Sequence, residues 1–367
     1  MSLQTSRIDV TGSQAQAPVR HALTEEDTPM SLLPIALACG PYDRTRALAD
    51  GRVTVDGADL RYLTLDPEEI FFRMVSHGEF DVSEMSMATY HVLMDKAAAA
   101  GEPAPFVAIP VFPSRMFRHT SVYVNAARLP SADPAEAARA LAGATVGVAE
   151  WQLTANVWIR GILADCYGVP VESVRYRTGG LNAPGRYEKV ALDLPESIDI
   201  APIASGQTLS GLLAAGEIDA VYSPRAPQCY GTGSVRRLFA DTRAEEERYF
   251  ATTGIFPIMH VIVIRRAVYE ANRWLPRELL KAFTAAKRLA YDDLARTAAL
   301  AVSLPFAREE YERTVAIMGG DYWAYGIEPN RDVLAAFGRY AAAQHLIAAP
   351  PAPEALFAAE AAEEVVI

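Results

Sequence analysis

The chain has 367 residues, of which 51% are apolar and 22% are charged, a composition typical of a folded protein with room for two domains of ordinary size. Lys and Arg number 34 and Asp and Glu number 45, so the formal net charge is −11. Proteins that bind nucleic acids or anionic membranes use a surplus of cations, and neither class fits this balance. An acidic protein that binds a small anion must instead gather its arginines in one place.

The sequence predicts the compartment from its cysteines and its ends. The three cysteines are widely spaced and form no Cys-x-x-Cys pair, so neither a disulfide framework nor a zinc site is predicted. No stretch reaches the roughly 20 apolar residues of a membrane-spanning helix. Residues 1–30 are polar and lack the apolar core of a signal peptide, which predicts a disordered extension and a cytoplasmic location. Residues 346–367 are rich in Ala, Pro and Glu and are expected to form a surface tail.

Strand and helix patterns alternate from residue 32 onward. The apolar run 32–39 predicts a buried strand that Gly40 and Pro41 end. In the first part of the chain we expect helices up to residue 50 and over 68–76 and 87–100, and strands at 60–63, 80–83, 106–111 and 120–124. Later strands are expected at 145–148, 173–176, 219–222 and 260–264, and later helices start at residue 134 and span 154–167, 209–215, 276–303, 308–318 and 330–344.

This alternation predicts an α/β protein with parallel sheets covered by helices, whose ligands bind at the carboxyl ends of strands. A composition break at 131–135 precedes a second series of strands and helices, and one strand near 260 returns from it. We therefore expect two lobes with a hinge cleft. Lobe one comprises 31–123 and 256–345, with the C-terminal helices packed on it, and lobe two comprises 124–255.

Polar residues gather at the predicted strand ends and crossings, where a cleft would lie. They are Tyr42, Asp43, Arg44, Glu84, Ser86, Arg115, Arg118, His119, Glu150, Thr154, Arg225 and His260. Arginine recognises carboxylates with two parallel hydrogen bonds, and helix N-termini add N–H donors, so the arginines suggest an anion site. The two histidines lie at the two crossings, where they could transfer protons.

Each of these residues also has a structural interpretation. An arginine at a loop start is more often part of a surface ion pair, and a lone histidine is usually structural. Glu84, Asp43 and Glu150 could be general bases, although a carboxylate at a helix start is more often a cap. Nucleotide-binding, zinc-protease and serine-hydrolase motifs are absent, and no lysine stands out for a Schiff base. No metal and no cofactor are predicted.

Several segments in order along residues 32–357 resemble the 4,5-dihydroxyphthalate decarboxylases. They include ACGPYDRTRAL at 38–48, EFDVSEMS at 79–86, IPVFPSR at 109–115, VWIRGIL at 157–163, TGIFPIMH at 253–260 and YGIEPNR at 325–331. The resemblance implies a two-lobed type II periplasmic-binding-protein-like fold. It also implies a cytoplasmic enzyme that removes one carboxylate from 4,5-dihydroxyphthalate, a small aromatic dicarboxylate, to give protocatechuate. The segment at 157–163 adds Arg160 to the substrate-binding candidates.

Loss of carbon dioxide from an aromatic ring is easier when the ring carbon is protonated first, helped by a hydroxyl para to the departing carboxylate. We therefore expect Arg115, Arg118 and Arg225, with Arg44, to bind the carboxylates. Tyr42, Ser86, Glu150, Thr154 and Arg160 complete the substrate-binding set. His119 or His260 would donate the proton, and Glu84 or Asp43 would hold or deprotonate the phenol.

Other functions stay open at this point. A related enzyme could act on another hydroxylated aromatic acid, and a solute-binding protein could share the two-lobed fold without catalysis. A ligand-sensing regulator is disfavoured because residues 1–30 are too polar to form a helix-turn-helix segment. The sequence leaves a homo-oligomer open.

Overall fold

The computed structural model describes residues 32–186 and 192–361. The expected extension at 1–30 and the last six residues of the expected tail lie outside these ranges. The first part of the chain forms β1 (Leu33–Cys39), α1 (Asp43–Ala49), β2 (Ala58–Thr64), α2 (Pro67–His77), β3 (Val82–Ser86), α3 (Met87–Ala100) and β4 (Phe106–Arg115).

The middle of the chain forms a second series of strands and helices. It consists of β5 (Val122–Asn125), α4 (Pro134–Arg139), β6 (Thr145–Val148), α5 (Thr154–Tyr167), β7 (Arg175–Thr178), β8 (Ile200–Pro202), α6 (Leu209–Ala215), β9 (Ala220–Tyr222), β10 (Val235–Arg237) and α7 (Thr242–Thr253). The chain then continues through β11 (Ile258–Arg265), α8 (Arg266–Ala271), α9 (Leu275–Ala295), α10 (Ala307–Met318) and α11 (Arg331–Ala343).

Two sheets organise the protein. The first has the order β2-β1-β3-β11-β4 and the second has the order β10-β5-β9-β6-β7-β8. Each sheet contains one strand that arrives from the other half of the fold and runs antiparallel to both neighbours. In the first sheet this strand is β11, between β3 and β4, and in the second it is β5, between β9 and β10. The predicted two-lobed α/β architecture is confirmed.

The crossings between the sheets differ slightly from the expected boundaries. Strand β5 pairs within the second sheet, so the chain leaves the first sheet at residues 116–121 and not after residue 123. It returns at residues 254–257, between α7 and β11. The two crossings lie side by side, since the backbone N–H of Met116 donates to the carbonyl of Pro257 at 3.1 Å.

Local sequence explains where the elements begin and end. Strand β4 contains Pro110 and Pro113, which are tolerated because β4 is an edge strand of the first sheet. Helix α2 begins after Asp66, whose side chain accepts from the N–H of Glu68, and ends at Gly78, whose φ of 57° favours glycine.

The C-terminal helices cover more than one lobe. Helix α9 packs against α1 and β4 of lobe one, as expected, whereas α11 contacts both α3 and α5. At the second contact Tyr340 donates to Asp165 at 2.7 Å, and Gln344, just beyond α11, donates to the carbonyl of Val157 at 2.9 Å. The C-terminal part of the chain therefore joins the two lobes.

Some elements differ from the sequence expectations. The helix expected over 276–303 ends at residue 295, and beyond it Leu300 and Leu304 are exposed, so no core was available to extend it. Helix α7, with α8, β8 and β10, was not predicted. The sequence of α7 is rich in charged residues, and the helix is stabilised by the cap Asp241, by the buried ring of Tyr249 and by an ion pair between Glu247 and Arg313. Within 32–186 and 192–361, no helix is both long and apolar enough to cross a membrane.

Candidate active site

A cavity of about 290 Å³ lies between the two lobes, at the ends of β3, β6 and β9 and beside β11. This volume is at the lower end of the range for small-molecule sites, about 300–1,000 Å³. Lobe one lines it with Asp66, Pro67, Glu68, Phe71, Ser86, Thr89 and His260, lobe two with residues 150 and 152–155 and with Pro224 and Arg225, and the crossings with Met116, Arg118 and Met259.

A buried carboxylate supports the histidine of the cavity. Glu84 is fully buried, and its Oε1 lies 2.5 Å from Nδ1 of His260 and accepts from the hydroxyl of Tyr42 at 2.7 Å. Its Oε2 accepts from the N–H of Gly40 at 2.8 Å and lies 3.5 Å from the thiol of Cys39. Burial alone would raise the pKa of Glu84, but the facing histidine and these hydrogen bonds outweigh it and hold the pKa below its ordinary value. Glu84 is therefore ionised and does not reach the cavity.

The backbone around His260 is irregular. In the pairing of β11 with β4, the register shifts on both sides of His260, whereas on the other side His260 pairs regularly with Ser86 of β3. Such bulges redirect side chains and are frequent beside active sites. The ring N–H at Nδ1 donates a hydrogen bond to the ionised Glu84, so the second ring nitrogen, Nε2, is the atom available to a ligand. The ring of Phe71 packs edge-on against His260 at 4.9 Å.

Arg118 brings a buried positive charge to the cavity. It is 7% exposed, and its guanidinium contacts two thioethers, with Nε 3.1 Å from Sδ of Met259 and one terminal nitrogen 3.6 Å from Sδ of Met116. Burial lowers its pKa to about 10, so the group remains charged at neutral pH. Thioether sulfur is a weak acceptor. The two thioethers carry no charge that would neutralise the guanidinium, although the carboxylate of Glu246 favours its charged form, so Arg118 is suited to an anionic ligand.

Two helix N-termini meet at the base of the cavity. Ser86 caps α3, and its hydroxyl lies 2.9 Å from that of Thr154, the first residue of α5. Thr154 also accepts from the N–H of Ala88 at 3.0 Å. These bonds link lobe one to lobe two. Because both helices direct their positive ends toward the cavity, they add to the positive potential of Arg118.

Ion pairs between the lobes surround the cavity mouth. Arg186 of lobe two binds Glu150, with nitrogen to oxygen distances of 2.6 and 2.7 Å, and lies 3.5 Å from Glu68 of lobe one. Arg225 lies 3.5 Å from the same Glu68 and is 61% exposed at its side chain. The pair of Arg186 with Glu150 is therefore close, whereas the two pairs with Glu68, which join the lobes at the mouth, are longer. These are exposed enough to exchange partners.

Three of the predicted substrate-binding arginines stabilise the fold outside the cavity. Arg115 is buried and donates to the carbonyls of Phe256 and Ala324 and to the side chain of Asn330. Arg160 is also buried and donates to Gln344 and to the carbonyl of Trp151, each at 2.6 Å. Arg44 donates to the carbonyl of Pro113 and stacks on Tyr42 and Trp323. None of the three lines the cavity, because each one joins separate chain segments.

Two predicted catalytic residues also lie away from the cavity. His119 packs among the rings of Tyr167, Phe239 and Tyr249, and burial lowers its pKa to about 4. Asp43 is half-exposed at the start of α1, where it pairs with Arg44. The expectation that either residue meets the substrate conflicts with these positions. His119 lies on a crossing and Asp43 at a helix start, both near the cleft in sequence, but the side chain of His119 packs into the core and that of Asp43 pairs with Arg44.

The cavity contains fewer of the predicted site residues than the sequence suggested, and it also contains residues that were not predicted. Ser86, Arg118, Glu150, Thr154, Arg225 and His260 line the cavity, and Glu84 and Tyr42 stand behind His260. Sequence analysis assigned no role to Gln152, Glu68, Arg186 or the two methionines. The position of Gln152 in the segment that links β6 to α5 was the only signal for it. In the described ranges, no group of three or more His, Cys, Asp or Glu residues is placed to hold a metal ion.

Comparisons with known proteins show two decarboxylases that are similar to this chain in sequence. The chain is 42% identical over 310 residues to a 4,5-dihydroxyphthalate decarboxylase of Comamonas testosteroni, covering 84% of this chain and 91% of the relative. It is 41% identical over 230 residues to one of Pseudomonas putida, covering 62% and 85%. No family model matches. Among solved structures, the alkanesulfonate-binding protein SsuA from Xanthomonas axonopodis pv. citri aligns over 89% of this chain and 97% of its own, with a TM-score of 0.43 and 14% identity.

The fold and the cavity together define a two-lobed α/β protein with a polar site for a small ligand between its lobes. The extent and identity of the sequence matches assign it further. The chain belongs to the 4,5-dihydroxyphthalate decarboxylase family.

Proposed function

We propose that this protein is a carboxy-lyase that converts 4,5-dihydroxyphthalate into protocatechuate and carbon dioxide. Both curated relatives carry the name of this activity. The observation that carries the proposal is the pairing of a cavity histidine with a buried, ionised glutamate, beside a buried arginine whose guanidinium contacts two thioethers. An acid and a cation at one end of a small cavity are the groups that an aromatic decarboxylation needs.

The carboxylates bind at the end of the cavity formed by Arg118 and the N-termini of α3 and α5. A carboxylate accepts paired hydrogen bonds from a guanidinium, and both helix ends favour negative charge. His260 belongs to the same end, because it pairs with Ser86 across the sheet and because its neighbour Met259 contacts Arg118. A bound carboxylate therefore lies next to the proton donor.

His260 donates its proton from Nε2 to the ring carbon that carries the departing carboxylate. The carbon to carbon bond then breaks, its electron pair returns to the ring, and carbon dioxide leaves. The net change is the replacement of a carboxylate by one proton. Glu84 acts through His260, since its carboxylate accepts a hydrogen bond from Nδ1 and stabilises the positive charge of the doubly protonated imidazole. This differs from the sequence expectation that Glu84 contacts the phenol.

Glu150 accepts the proton of the hydroxyl para to the departing carboxylate. Of the three carboxylates considered as bases, Asp43 is at the surface and Glu84 is enclosed behind His260, whereas Glu150 lines the cavity. Arg186 holds Glu150 in place through two of its nitrogens. As the hydroxyl loses its proton, electron density moves to the ring carbon that His260 protonates. When carbon dioxide leaves and the electron pair returns to the ring, Glu150 gives the proton back to the same hydroxyl.

The direct test follows carbon dioxide and protocatechuate from 4,5-dihydroxyphthalate, with His260→Gln as the variant and His119→Gln as its matched control. We expect the first variant to lose at least about a hundredfold in kcat and the second to keep most of it. Binding without product would instead identify a solute-binding protein, and product from a different hydroxylated acid would reassign the substrate. Repeating the assay after chelator treatment tests for a metal.

We also propose that the enzyme works in the cytoplasm. Cys39, Cys166 and Cys229 are all free, and free thiols are typical of a reducing compartment. Cell fractionation with an antibody against the protein tests this location. Recovery in the periplasmic fraction would overturn it.

A further inference from the structure

Gln152 is a buried residue of the cavity whose polar atoms have no partner. It lies between β6 and α5, is 2% exposed and lines the cavity. Neither its amide oxygen nor its amide nitrogen has a hydrogen-bond partner within the ranges 32–186 and 192–361. Buried polar groups are nearly always paired in folded proteins, and an unpaired amide beside a ligand cavity is a group that a ligand can satisfy.

The chemistry of the amide selects the part of the ligand that it can meet. A carboxamide presents an acceptor and a donor side by side. An ionised carboxylate has acceptors only, so it could satisfy the amide nitrogen but would leave the oxygen unpaired. A hydroxyl both donates and accepts, and two hydroxyls on adjacent ring carbons can satisfy both amide atoms at once.

The surroundings of Gln152 favour the hydroxyl end of the substrate as well. Glu150, two residues earlier, is a carboxylate with acceptors only, so it can accept from a substrate hydroxyl but offers no donor to a substrate carboxylate. The cation assigned to the carboxylates, Arg118, comes from the crossing between the lobes. Glu150 and Gln152 therefore form one hydroxyl-binding segment on lobe two.

We propose that Gln152 is a specificity-determining residue that recognises the two adjacent hydroxyls of the aromatic substrate. Its amide oxygen accepts from one hydroxyl, and its amide nitrogen donates to the oxygen of the neighbouring one. This inference rests on the proposed function for the orientation of the ring. It adds that the protein distinguishes a dihydroxylated dicarboxylate from the same dicarboxylate without hydroxyls.

The test measures ligand binding by calorimetry in a His260→Gln background, where the substrate is not consumed. The ligands are 4,5-dihydroxyphthalate and phthalate, and the variant is Gln152→Met, which keeps the length and removes both polar atoms. We expect the Kd for the dihydroxylated ligand to rise about tenfold or more while the Kd for phthalate changes less than about twofold. Gln207→Met is the matched control, since Gln207 does not line this cavity. We expect it to leave both Kd values unchanged.

An equal loss for both ligands would overturn the proposal, because the amide would then bind a carboxylate or support the cavity wall. No loss for either ligand would overturn it too. If Gln152→Met does not fold, Gln152→Asn withdraws the same amide by one methylene without burying a new apolar group, and the same contrast applies. Failure of the proposed function has a different signature: the unmodified protein releases no carbon dioxide from 4,5-dihydroxyphthalate, whatever the binding contrast shows.

Discussion

Glu84 lies behind His260, with Oε1 of the carboxylate 2.5 Å from Nδ1 of the ring. Only the histidine reaches the cavity, so the glutamate affects the reaction through the orientation and charge of its partner. Glu84→Gln is therefore expected to lower kcat by about tenfold or more and to leave KM almost unchanged. Steady-state kinetics checks this. Glu79→Gln, at an exposed carboxylate, is the control and should behave as the wild type. A rise in KM with constant kcat would place Glu84 in binding instead.

The Glu84 carboxyl should also shape stability at low pH. Its pKa lies below the ordinary value of 4.5 in the folded protein, so the unfolded chain takes up a proton first as the pH falls. The stabilisation is complete above about pH 4.5 and is lost as the pH falls through the folded-state pKa. Thermal unfolding of wild type and Glu84→Gln should thus differ most near neutral pH and converge in acid. Curves that stay parallel down to pH 3 would contradict this.

Arg118 and Arg115 provide a matched pair of buried arginines with different expected effects. Arg118→Met removes a cation whose guanidinium contacts two uncharged thioethers, and we expect substrate affinity to fall about tenfold or more with little change in the unfolding temperature. Arg115→Met leaves the carbonyls of Phe256 and Ala324 without their donor, and we expect it to destabilise the fold by about 2 kcal/mol or more. Calorimetric binding and thermal unfolding of both variants separate the two roles. An exchange of the two phenotypes would refute the assignment.

His119 provides a test that is independent of catalysis. Its pKa is about 4 in the folded protein against an ordinary 6.5, so the unfolded chain binds a proton there first. Its contribution to stability is complete above pH 6.5 and is lost as the pH falls toward 4. His119→Phe should flatten the dependence of the unfolding temperature on pH in this window and should retain turnover. His91, whose pKa is also lowered to about 4 by burial, still contributes to the pH dependence of the unfolding temperature in this variant. A large loss of kcat in His119→Phe would return His119 to the site.

Thr154 links the lobes at the base of the cavity, through the hydroxyl of Ser86 and the N–H of Ala88. Thr154→Val keeps the shape and removes both bonds, so we expect weaker substrate binding, with Kd raised about fivefold or more. Thr154→Ser keeps the hydroxyl and is expected to bind nearly as the wild type does. Equal behaviour of the two variants would show that the hydroxyl is not needed.

Glu68 places a negative charge at the mouth of the cavity, between Arg186 and Arg225. It competes with a dianionic substrate for these arginines. Glu68→Gln is expected to raise the association rate constant severalfold at low ionic strength and by less at high salt, because the mouth is exposed and screened. Stopped-flow binding at two salt concentrations measures this. An unchanged association rate at low salt would mean that the substrate avoids these charges.

Much of the fold could be predicted because its pattern is local. Buried strands such as β1 and β6 and the helices α3, α5 and α6 follow from apolar runs, turn residues and caps within a few positions. Helix α7 could not be predicted in this way, because its sequence has no apolar period. It is stabilised by its cap and by distant partners, which are the ring of His119 against Tyr249 and ion pairs with α10.

The site was harder to predict, because side-chain direction depends on distant partners. Arg115 and Arg118 are three residues apart and look alike in the sequence, yet one is turned toward Asn330 and the other toward Met259. Arg160 looks like a candidate until its bond to Gln344, which is distant in sequence, is known. The position of His260 at the cleft could be predicted from the sequence, since it lies on a strand that returns from the second lobe.

The position of β11 between β3 and β4 has a consequence for how the protein is made. During synthesis, the strands of the second sheet, between residues 122 and 237, leave the ribosome before residue 258 does. Until β11 is made, β3 and β4 of the first sheet lack the strand that lies between them. Both strands then present open edges while lobe two is synthesised, and such edges can pair with other chains. The strand that closes this gap also carries His260, so completion of the sheet and assembly of the reaction centre are the same folding event.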